Sequence, residues 1–414
     1  MLFFLLLLGF NIWNLYNIPI VAVGVRDLLR DKKKRGKTLL GNGGKLPTVS
    51  IIVPAKNEEK VIGRLLQALL RLDYPSEKKE IIVVNDGSTD RTGQICSEYA
   101  SHHQGILVLQ KPTSTTKAAA LNFGLQHARG EIVAIFDADS VPELDTLLKV
   151  AERLKNSSVA AVQGRICSIN ADENMLTKFL SYEEAFQFEA YTRGKDILSL
   201  YVGLAGSCQF IRRRVLEEIG GWNEEALTED MEMSLRLVEK DHDIRYASEV
   251  RCWEERPSSF LGLMRQRARW FRGSIEVGLK YGKLLKRFSR KRFDAEMTLF
   301  GTYMIILCVS CYFMAISSFL VPSNVVLTLA IQVLSLFTVI TLFMVGVALI
   351  YVTKPLKMSN LVWLPFVYVY WGIQSFVALY ALLQVVLRRP RKWSKTPRTG
   401  AVTAKQVNEI LAKS

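Results

Sequence analysis

The chain has 414 residues, of which 49% are hydrophobic, and it carries a formal net charge of +15. This length allows two or three domains. A strong positive charge is often a sign of nucleic-acid binding. No base-stacking or recognition motif accompanies the charge here, so we expect no nucleic-acid partner.

Long runs without Asp, Glu, Lys or Arg begin the chain and return in its last third. About 20 apolar residues are enough to span a bilayer. The runs predict four membrane-spanning segments, at 2–23, 298–320, 324–352 and 361–387. The first run lacks the positive start and the small-residue cleavage site of a signal peptide, so we expect it to remain as a membrane anchor.

Basic residues are concentrated just after the first apolar run, at 26–37, and just before the second, at 280–292. Because basic flanks stay on the inner side of a membrane, we expect the N-terminus outside and the middle of the chain in the cytoplasm. The same clusters suit contact with anionic membrane lipids. The basic tail 388–414 is also expected inside, although three spans after a cytoplasmic domain would place it outside. Either 361–387 does not cross fully or one span is misassigned.

Residues 48 to about 250 alternate apolar, strand-like stretches with helix-like segments. The strand-like stretches are 49–54, 80–85, 106–110, 131–136 and 160–164, and the helix-like segments are 58–71, 90–101 and 117–128. Near-continuous apolar strands separated by helices predict an α/β domain with a parallel sheet covered on both faces. In such sheets ligands bind beyond the carboxyl ends of the strands. No G-x-G-x-x-G follows the first strand, which argues against a dinucleotide site.

Two carboxylates, Asp137 and Asp139, come directly after the fourth strand in IFDADS. In an extended segment, residues two apart point the same way. Two such carboxylates can hold one divalent cation together with phosphate oxygens, and the cation would neutralise a departing nucleoside diphosphate. We expect Asp139 to be the stronger metal ligand and Asp137 the nucleotide contact. A solvated acid pair is the alternative.

Asp86 follows the second strand in NDGSTD, where Gly87 permits close approach of the backbone. Its carboxylate is suited to a nucleotide base or ribose, and the alternative is an N-cap for the next helix, a role open also to Asp90. Lys117 in TTKAAALN is placed to reach a phosphate, or else is a solvated lysine at a helix start.

Asp230, in LTEDMEM, is the candidate general base. Sugar transfer with inversion needs a carboxylate to take the proton of the acceptor hydroxyl while the sugar gains oxocarbenium character. Glu229 and Glu232 are rivals by chemistry alone. Acids that merely complement a helix N-terminus are a further alternative.

Residues 257–281 predict an arginine-laced amphipathic helix of the kind that lies in a membrane interface. It carries Q-R-A-R-W, with Gln266 and Arg269 on neighbouring helical positions. Arginine suits bidentate phosphate binding. Trp270 is placed to stack on a sugar or lipid, or to anchor the helix at the interface.

The series D…DxD…TED…QxxRW, from Val49 to Gly273, resembles the membrane-embedded members of glycosyltransferase family 2. That family includes cellulose, chitin, hyaluronan and poly-N-acetylglucosamine synthases and some bacterial glycolipid glucosyltransferases. The resemblance implies a Rossmann-like glycosyltransferase A domain inserted between transmembrane helices, with amphipathic interface helices. It also implies a UDP-sugar donor, Mg²⁺ or Mn²⁺, and inversion at the anomeric carbon.

The resemblance further implies roles for single residues. Asp86 would contact the uridine, Asp139 the metal and diphosphate, and Asp230 would be the base. The remaining assignments concern the two substrates: Pro54, Ala55 and Glu58 at the nucleotide entrance, Gln266, Arg269 and Trp270 at the diphosphate and acceptor end, and Gly206, Ser207 and Glu229 at the acceptor. The segment KWSKTPR, with Trp393, Thr396 and Arg398, is similar to a tail segment near the nucleotide in some synthases.

These inferences divide the chain into consecutive segments: a transmembrane helix at 1–25, a basic linker at 26–47, a cytoplasmic glycosyltransferase A domain at 48–256, interface helices at 257–294, transmembrane helices at 295–387 and a basic tail at 388–414. We expect a multi-pass enzyme of the plasma membrane that extends a β-linked polysaccharide from UDP-N-acetylglucosamine or UDP-glucose, processively and coupled to export. The alternative is transfer of one sugar to diacylglycerol or polyprenyl phosphate. Polymer-secreting synthases generally have more spans than are predicted here, so export would call for an oligomer or a partner.

Overall fold

A computed structural model describes residues 2–34, 46–113, 115–282, 288–318, 325–353, 362, 364–391, 396, 398–403 and 406–409. Trp393 of the predicted tail segment lies outside the described residues. The chain forms two compact units. Unit 1 comprises Met1–Arg35, Ala185–Leu200 and Leu263–Ser394, and unit 2 comprises Gly36–Glu184, Tyr201–Gly262 and Lys395–Ser414. The predicted segments were consecutive, whereas 185–200 interrupts unit 2 and the tail from 395 returns to it.

Unit 2 contains a sheet that has eight strands among the described residues. The strands are β1 Val49–Ala55, β2 Lys79–Asp86, β3 Ile106–Lys111, β4 Ile132–Ile135, β5 Val141–Pro142, β6 Val159–Ser168, β7 Gln209–Arg212 and β8 Asp243–Glu254. Their order across the sheet is β3-β2-β1-β4-β7-β6-β8-β5. The five strands predicted from apolar stretches are confirmed as β1, β2, β3, β4 and β6.

The sheet is mixed, so the prediction of a parallel sheet is right for one half only. Strands β3, β2, β1 and β4 are all parallel. β7 runs antiparallel to both β4 and β6, and β5 runs antiparallel to β8. β7 is only four residues long, and burial alternates along much of β8, so neither presents the continuous apolar run that identified the other strands.

The helices that fill unit 2 are short. They are α2 Ile62–Leu70, α3 Thr92–His102, α4 Lys117–Leu125, α5 Thr146–Arg153, α8 Arg213–Ile219 and α9 Glu229–Glu239; α6 Met175–Phe186 extends from unit 2 into unit 1. α4 lies directly on the parallel strands, because a Cβ added at Gly124 would lie 2.7 Å from Ile52 and 3.1 Å from Val84. Thr116 caps α4 by accepting a hydrogen bond from the Ala119 amide (3.2 Å).

The described part of unit 1 is built from helices and short connections. Its helices are α1 Leu2–Lys34, a π-helical turn Gln187–Thr192, α7 Arg193–Ile197, α10 Phe260–Tyr281 from Leu263 onward, α11 Arg290–Ser318, α12 Val325–Val352 and α13 Leu364–Val386. Four segments of the described residues are long and apolar enough to cross a membrane: Phe4–Arg30, Arg290–Cys311, Thr328–Leu349 and Pro365–Val386. The four predicted spans are thereby confirmed as candidates.

α1 does not end near residue 25, as the segment boundaries predicted. It continues to Lys34, because Leu, Arg and Lys in 26–34 are good helix formers. Glycines pack α1 closely against the segment 187–197: a Cβ at Gly24 would collide with the carbonyl of Ala190, and one at Gly194 with the carbonyl of Ile20. Unit 1 is therefore held partly by backbone-to-backbone contact.

Buried ion pairs add to this packing in unit 1. Lys195 Nζ lies 3.0 Å from Asp294 Oδ2, and Tyr16 donates to Asp294 Oδ1 at 2.7 Å. Arg193 pairs with Glu189 at 2.6 Å and with Asp27 at 2.9 Å. Charged groups in an apolar environment persist only when they are paired in this way.

Candidate active site

Asp86 is the last residue of β2, and it lies opposite Lys111, the last residue of β3. Lys111 Nζ is 3.0 Å from Asp86 Oδ1, and Asp86 is buried. The sequence predicted that this carboxylate sits at the carboxyl edge of the sheet, and it does. Asp90, not Asp86, accepts from the amide of Thr92, the first residue of α3, at 2.9 Å, so the alternative of Asp86 as the N-cap of this helix is wrong.

The loop after β1 is hydrogen-bonded to the NDGSTD loop after β2. Asn57, with φ at +54°, accepts from the Thr89 amide at 2.7 Å, and its own amide donates to Ser88 Oγ at 3.0 Å. The Glu58 amide donates to Thr92 Oγ1 at 2.7 Å.

The register of β1 and β2 sets Pro54 opposite Val84 and Ala55 opposite Asn85. The predicted nucleotide-entrance residues Pro54, Ala55 and Glu58 thus stand at the same sheet edge as Asp86.

Lys117, the first residue of α4, joins three segments. Its Nζ lies 2.5 Å from Asp137 Oδ1 and 3.6 Å from Glu229 Oε1, and it donates to the carbonyl of Gly206 at 2.9 Å. Burial alone would lower the pKa of Lys117, but Asp137 and Glu229 raise it above its usual value, so the ammonium stays charged. The alternative of a solvated lysine is wrong.

Asp230 lies in the first turn of α9 and faces Gly206. A Cβ built at Gly206, where φ is +78°, would lie 3.1 Å from Asp230 Oδ2 and 3.4 Å from Lys117 Nζ. The missing side chain therefore leaves space in front of the carboxylate. Burial and then the neighbouring Glu229 raise the pKa of Asp230 to about 7, while Lys117 acts in the opposite direction. A carboxylate with this pKa is suited to general-base chemistry near neutral pH.

Glu232, one of the rival bases, is engaged elsewhere. Its carboxylate accepts from Arg236 at 2.8 Å and from Asn223 at 3.1 Å, and the residue is 1% exposed. Glu229 has Lys117 as a neighbour at 3.6 Å. Of the three acids in this helix start, Asp230 is the one beside the space at Gly206.

Asp139 is buried and has a partner on each carboxylate oxygen. Oδ2 accepts from the amide of Glu255 at 2.9 Å, and Oδ1 lies 3.3 Å from Arg398 Nη2. Arg64 donates to the main-chain oxygen of Asp139 at 3.1 Å and pairs with the Glu255 carboxylate at 3.0 Å. The sequence pointed to Arg398 only through the tail resemblance and gave no signal for Arg64 or Glu255.

A buried chain of hydroxyls supports the loop between β4 and β5. The Asp137 amide donates to Ser207 Oγ at 3.1 Å, Ser207 Oγ lies 3.0 Å from Ser140 Oγ, and Ser140 donates to Glu254 at 2.9 Å. Burial, followed by the charge of Asp139, raises the pKa of Glu254 to about 7. Ser207, expected at the acceptor, is 1% exposed and belongs to this chain of hydrogen bonds.

The donor set suits a hard divalent cation. Among the described residues, no group of three His, Cys, Asp or Glu side chains is close enough to hold a metal by itself. Asp137 and Asp139 offer carboxylate oxygens, the ligands that Mg²⁺ and Mn²⁺ take together with substrate phosphates and water. In this structure the Arg398 guanidinium pairs with Asp139 at 3.3 Å and Lys117 with Asp137 at 2.5 Å, so each carboxylate already has a positively charged partner.

Gln266, Arg269 and Trp270 lie on α10 within unit 1. Gln266 is buried, and Trp270 is 37% exposed with the Arg267 guanidinium 4.6 Å from its ring centroid. The carboxylates of the site belong to unit 2. That the three α10 residues meet those carboxylates around one diphosphate therefore stays a prediction.

Arg272, three residues beyond Arg269, has a role that the motif did not reveal. It donates to the carbonyls of Arg389 (2.6 Å) and Pro390 (3.2 Å) and pairs with Glu276 at 2.9 Å. The arginine-rich spacing of α10 was its only signal in the sequence. Within unit 1, Arg272 fixes the chain just after α13.

A sequence model of the family described as "Glycosyltransferase like family 2" matches residues 47–273, more than half of the chain. The chain belongs to glycosyltransferase family 2. It is a glycosyltransferase, and the resemblance in the D…DxD…TED…QxxRW series is confirmed at the level of the family.

The chain is similar to three curated relatives that differ in their named activities. It is 34% identical to the Probable glycosyltransferase YdaM of Bacillus subtilis over 310 residues, 73% of each chain. It is 36% identical to the Beta-monoglucosyldiacylglycerol synthase of Nostoc sp. over 63% of this chain and 57% of that protein. It is 31% identical to the Poly-beta-1,6-N-acetyl-D-glucosamine synthase of Staphylococcus epidermidis over 56% of each. The chain thus spans little more than half the length of these two synthases.

A solved structure shares the fold. The mannosyltransferase PcManGT from Pyrobaculum calidifontis, in complex with GDP-Man and Mn²⁺, superposes with a TM-score of 0.58 at 19% identity, covering 92% of this chain and 100% of that one. The α/β glycosyltransferase A fold expected from the sequence is confirmed.

Proposed function

We propose that the protein transfers a sugar, with inversion, from a UDP-sugar to a hydroxyl acceptor, and that Asp230 is the general base. The observation that supports this proposal best is the position of Asp230. Its carboxylate stands before the space left by Gly206, at the sheet edge that also holds Lys117 and Asp137. Its raised pKa matches a base that works near neutral pH.

The reaction balances with these groups alone. Asp230 takes the proton of the acceptor hydroxyl as that oxygen bonds to the anomeric carbon. The bond from the anomeric carbon to the diphosphate oxygen breaks, and UDP leaves with the electron pair. Inversion follows because the acceptor attacks the face opposite the leaving group.

Donor binding is assigned to the residues at the ends of β1, β2 and β4. We assign Asp86 to the uridine with Pro54, Ala55 and Glu58 around it, and Lys117 to the diphosphate with Asp137 and Asp139. Mg²⁺ or Mn²⁺, held by Asp139 with Asp137, would supply charge neutralisation of the departing diphosphate. The Mn²⁺ in the complex of the mannosyltransferase that shares this fold supports a divalent cation here.

Two acceptor classes are each supported by a relative. A growing β-linked saccharide, extended processively from UDP-N-acetylglucosamine or UDP-glucose and exported, is supported by the poly-N-acetylglucosamine synthase. A single transfer to a lipid such as diacylglycerol is supported by the higher identity to the monoglucosyldiacylglycerol synthase, over a longer stretch. In both cases we assign Gly206, Glu229 and Trp270 to the acceptor end, and Ser207 to support of this segment through its hydrogen bond with the Asp137 amide.

The proposed location is the plasma membrane. The four candidate spans support a multi-pass protein, and the basic flanks of the first two support a cytoplasmic catalytic domain and tail. Gln266 and Arg269, on an interfacial helix, would complete the diphosphate site from the membrane side.

The test uses the full-length protein in detergent or lipid. A panel of radiolabelled UDP-sugars is supplied with and without Mn²⁺, and the products are sized. A ladder of saccharides identifies processive synthesis, and a single lipid-soluble product identifies lipid transfer.

Asp230→Asn tests the base, and Asp145→Asn is its control, because the Asp145 side chain is 40% exposed and pairs with Lys149 at the start of α5. We expect Asp230→Asn to lose activity by about 10²- to 10⁴-fold while still binding UDP. Activity that survives this change would refute the assignment of the base.

A further inference from the structure

The tail from Arg398 onward is hydrogen-bonded to one acidic residue of unit 2, Glu255. The amides of Thr399 and Gly400 donate to the Glu255 carboxylate at 3.1 and 3.2 Å, and the Arg398 guanidinium donates to its carbonyl. Glu255 is 1% exposed, so these bonds are shielded from water. The tail is therefore seated by main-chain hydrogen bonds to a buried carboxylate.

The tail makes further contacts within unit 2 after Gly400. Arg64 donates to the Val402 carbonyl at 3.1 Å, and Arg71 donates to Asn408 at 3.2 Å. Thr403 and Gln406 bond each other's amides, at 2.9 Å and 3.4 Å, which starts a helical turn. The side chain of Val407, 5% exposed, packs with Val141 and Ile169.

One glycine of the tail allows it to pack closely against Lys60. Gly400 has φ at +64°, and a Cβ there would lie 2.9 Å from Lys60 Cβ and 3.1 Å from the Lys60 carbonyl. An L-residue at 400 would be strained in this conformation and would also crowd Lys60. Changing Gly400 therefore releases the tail while leaving Arg398 in the chain.

The seated tail brings Arg398 to Asp139, whose other oxygen is held by the Glu255 amide. Carboxylates and guanidinium groups alternate in this buried place. Besides the pair of Asp139 with Arg398, Arg64 pairs with Glu255 at 3.0 Å, and Arg256 lies 3.8 Å from Glu254 and 2.6 Å from Glu184. A divalent cation on Asp139 would add two positive charges beside a guanidinium in a region shielded from water, where like charges repel strongly.

We propose that Arg398 neutralises the charge of Asp139 when no metal is bound. The bound tail and a divalent cation then compete for this carboxylate, and only one of them occupies it at a time. Arg398 is thus a positioning residue, which holds Asp139 neutralised until the metal replaces it. The inference rests on the proposed function in one respect, the assignment of the metal to Asp139.

The experiment titrates Mn²⁺ alone into the full-length protein and measures free Mn²⁺ by electron paramagnetic resonance. The variants are Arg398→Ala, which removes the counter-charge, and Gly400→Val, which unseats the tail with Arg398 intact. Arg129→Ala, at an exposed position before β4, is the control for loss of one positive charge. Hydrogen exchange of residues 398–409 reports whether the tail is seated.

We expect Arg398→Ala and Gly400→Val each to bind Mn²⁺ about tenfold more tightly than the wild type, the effect of removing one nearby like charge. Arg398→Lys, which keeps the charge, should restore the wild-type affinity, and Arg129→Ala should match the wild type. Mn²⁺ should speed hydrogen exchange of 398–409 in the wild type.

Unchanged or weaker Mn²⁺ binding in both Arg398→Ala and Gly400→Val would overturn the proposal, as would a tail that stays equally protected when Mn²⁺ is bound. Asp139→Asn separates this failure from failure of the metal assignment. If Asp139→Asn abolishes Mn²⁺ binding while the two tail variants bind as the wild type does, only the mutual exclusion is wrong. If Asp139→Asn binds Mn²⁺ normally, the metal assignment and the exclusion are both wrong.

Discussion

Lys117 Nζ lies 2.5 Å from Asp137 Oδ1, so the first residue of α4 is joined to the loop after β4. The same ammonium reaches the carbonyl of Gly206 and lies 3.6 Å from Glu229. It is therefore the charge that connects the proposed donor side of the site, at Asp137, with the proposed acceptor side, at Glu229 and Asp230.

The first prediction concerns this lysine. Lys117→Met keeps much of the volume and removes the charge that lowers the pKa of Asp230, so the pH at which the base ionises should move upward. Affinity for UDP should fall as well. Lys149→Met is the control, because Lys149 also pairs with two acids, Glu143 and Asp145. A pH–rate profile with an unmoved inflection in Lys117→Met would show that the lysine does not act on the base.

The second prediction is the pH dependence of the wild type. Asp230 has a raised pKa of about 7 and must be ionised to act as a base, so kcat/KM should fall about tenfold per pH unit below that value. Glu254 also has a raised pKa of about 7 and would titrate in the same range. If Asp230 causes the fall of kcat/KM at low pH, that fall should persist in Glu254→Gln. If the fall disappears in Glu254→Gln, Glu254 causes it.

The same pKa values give the direction of a stability change. Both carboxyl groups bind their protons more tightly in the folded chain than in the unfolded chain, whose carboxyl pKa values are about 4. Their contribution to stability is full below pH about 4 and is lost as the pH rises through about 7.

The third prediction tests the space in front of Asp230. Gly206→Ala introduces a Cβ 3.1 Å from the Asp230 carboxylate and strains a backbone with φ at +78°. We expect kcat to fall by at least about tenfold, because the Cβ occupies the place where a hydroxyl would meet the base. UDP binding should change less than kcat, as measured by titration calorimetry.

Gly220→Ala is the matched control for this change. Gly220 also has φ at +78°, but a Cβ there meets nothing within 4 Å. The two glycines share the same positive φ, and they differ in what the new methyl group would meet. Equal activities in Gly206→Ala and Gly220→Ala would mean that the space at residue 206 has no part in the reaction.

The parallel half of the sheet and its carboxylates could be predicted because both leave local signals. β1, β2 and β4 are buried runs of apolar residues, and Asp86 and Asp137 come at or just after the end of such runs. The antiparallel half could not be predicted in the same way. β7 is short and β8 alternates in burial, so the pattern of a continuous run is missing.

The surroundings of Asp139 were largely hidden from the sequence for a different reason. Arg64, Glu255 and Arg398 come from α2, the end of β8 and the tail, and meet only in the folded unit. No spacing between them in the chain marks their contact. The hydrogen bonds of Ser207 are hidden likewise, because a Ser beside Gly206 in LAGSCQF carries no sign of whether it faces a substrate or the DxD loop.

The last prediction concerns the close packing of α1 in unit 1. Gly24→Leu places a side chain where a Cβ alone would collide with the carbonyl of Ala190, and Gly194→Leu does the same at the carbonyl of Ile20. Because carbonyl oxygens belong to the backbone, the clash cannot be relieved by a rotamer change, and α1 must separate from the segment 187–197. Helix pairs in membranes depend on such small residues for close approach.

Gly9→Leu is the control, since Gly9 lies on the same helix and a Cβ there meets nothing within 4 Å. We expect Gly24→Leu and Gly194→Leu to lower the midpoint of thermal unfolding of the detergent-solubilised protein by several degrees and to expose 187–197 to protease, while Gly9→Leu does neither. If Gly24→Leu and Gly9→Leu have the same unfolding midpoint and the same resistance to protease, the glycine contact does not hold α1 in place. The ion pairs of Lys195 and Arg193 would then be sufficient to hold it.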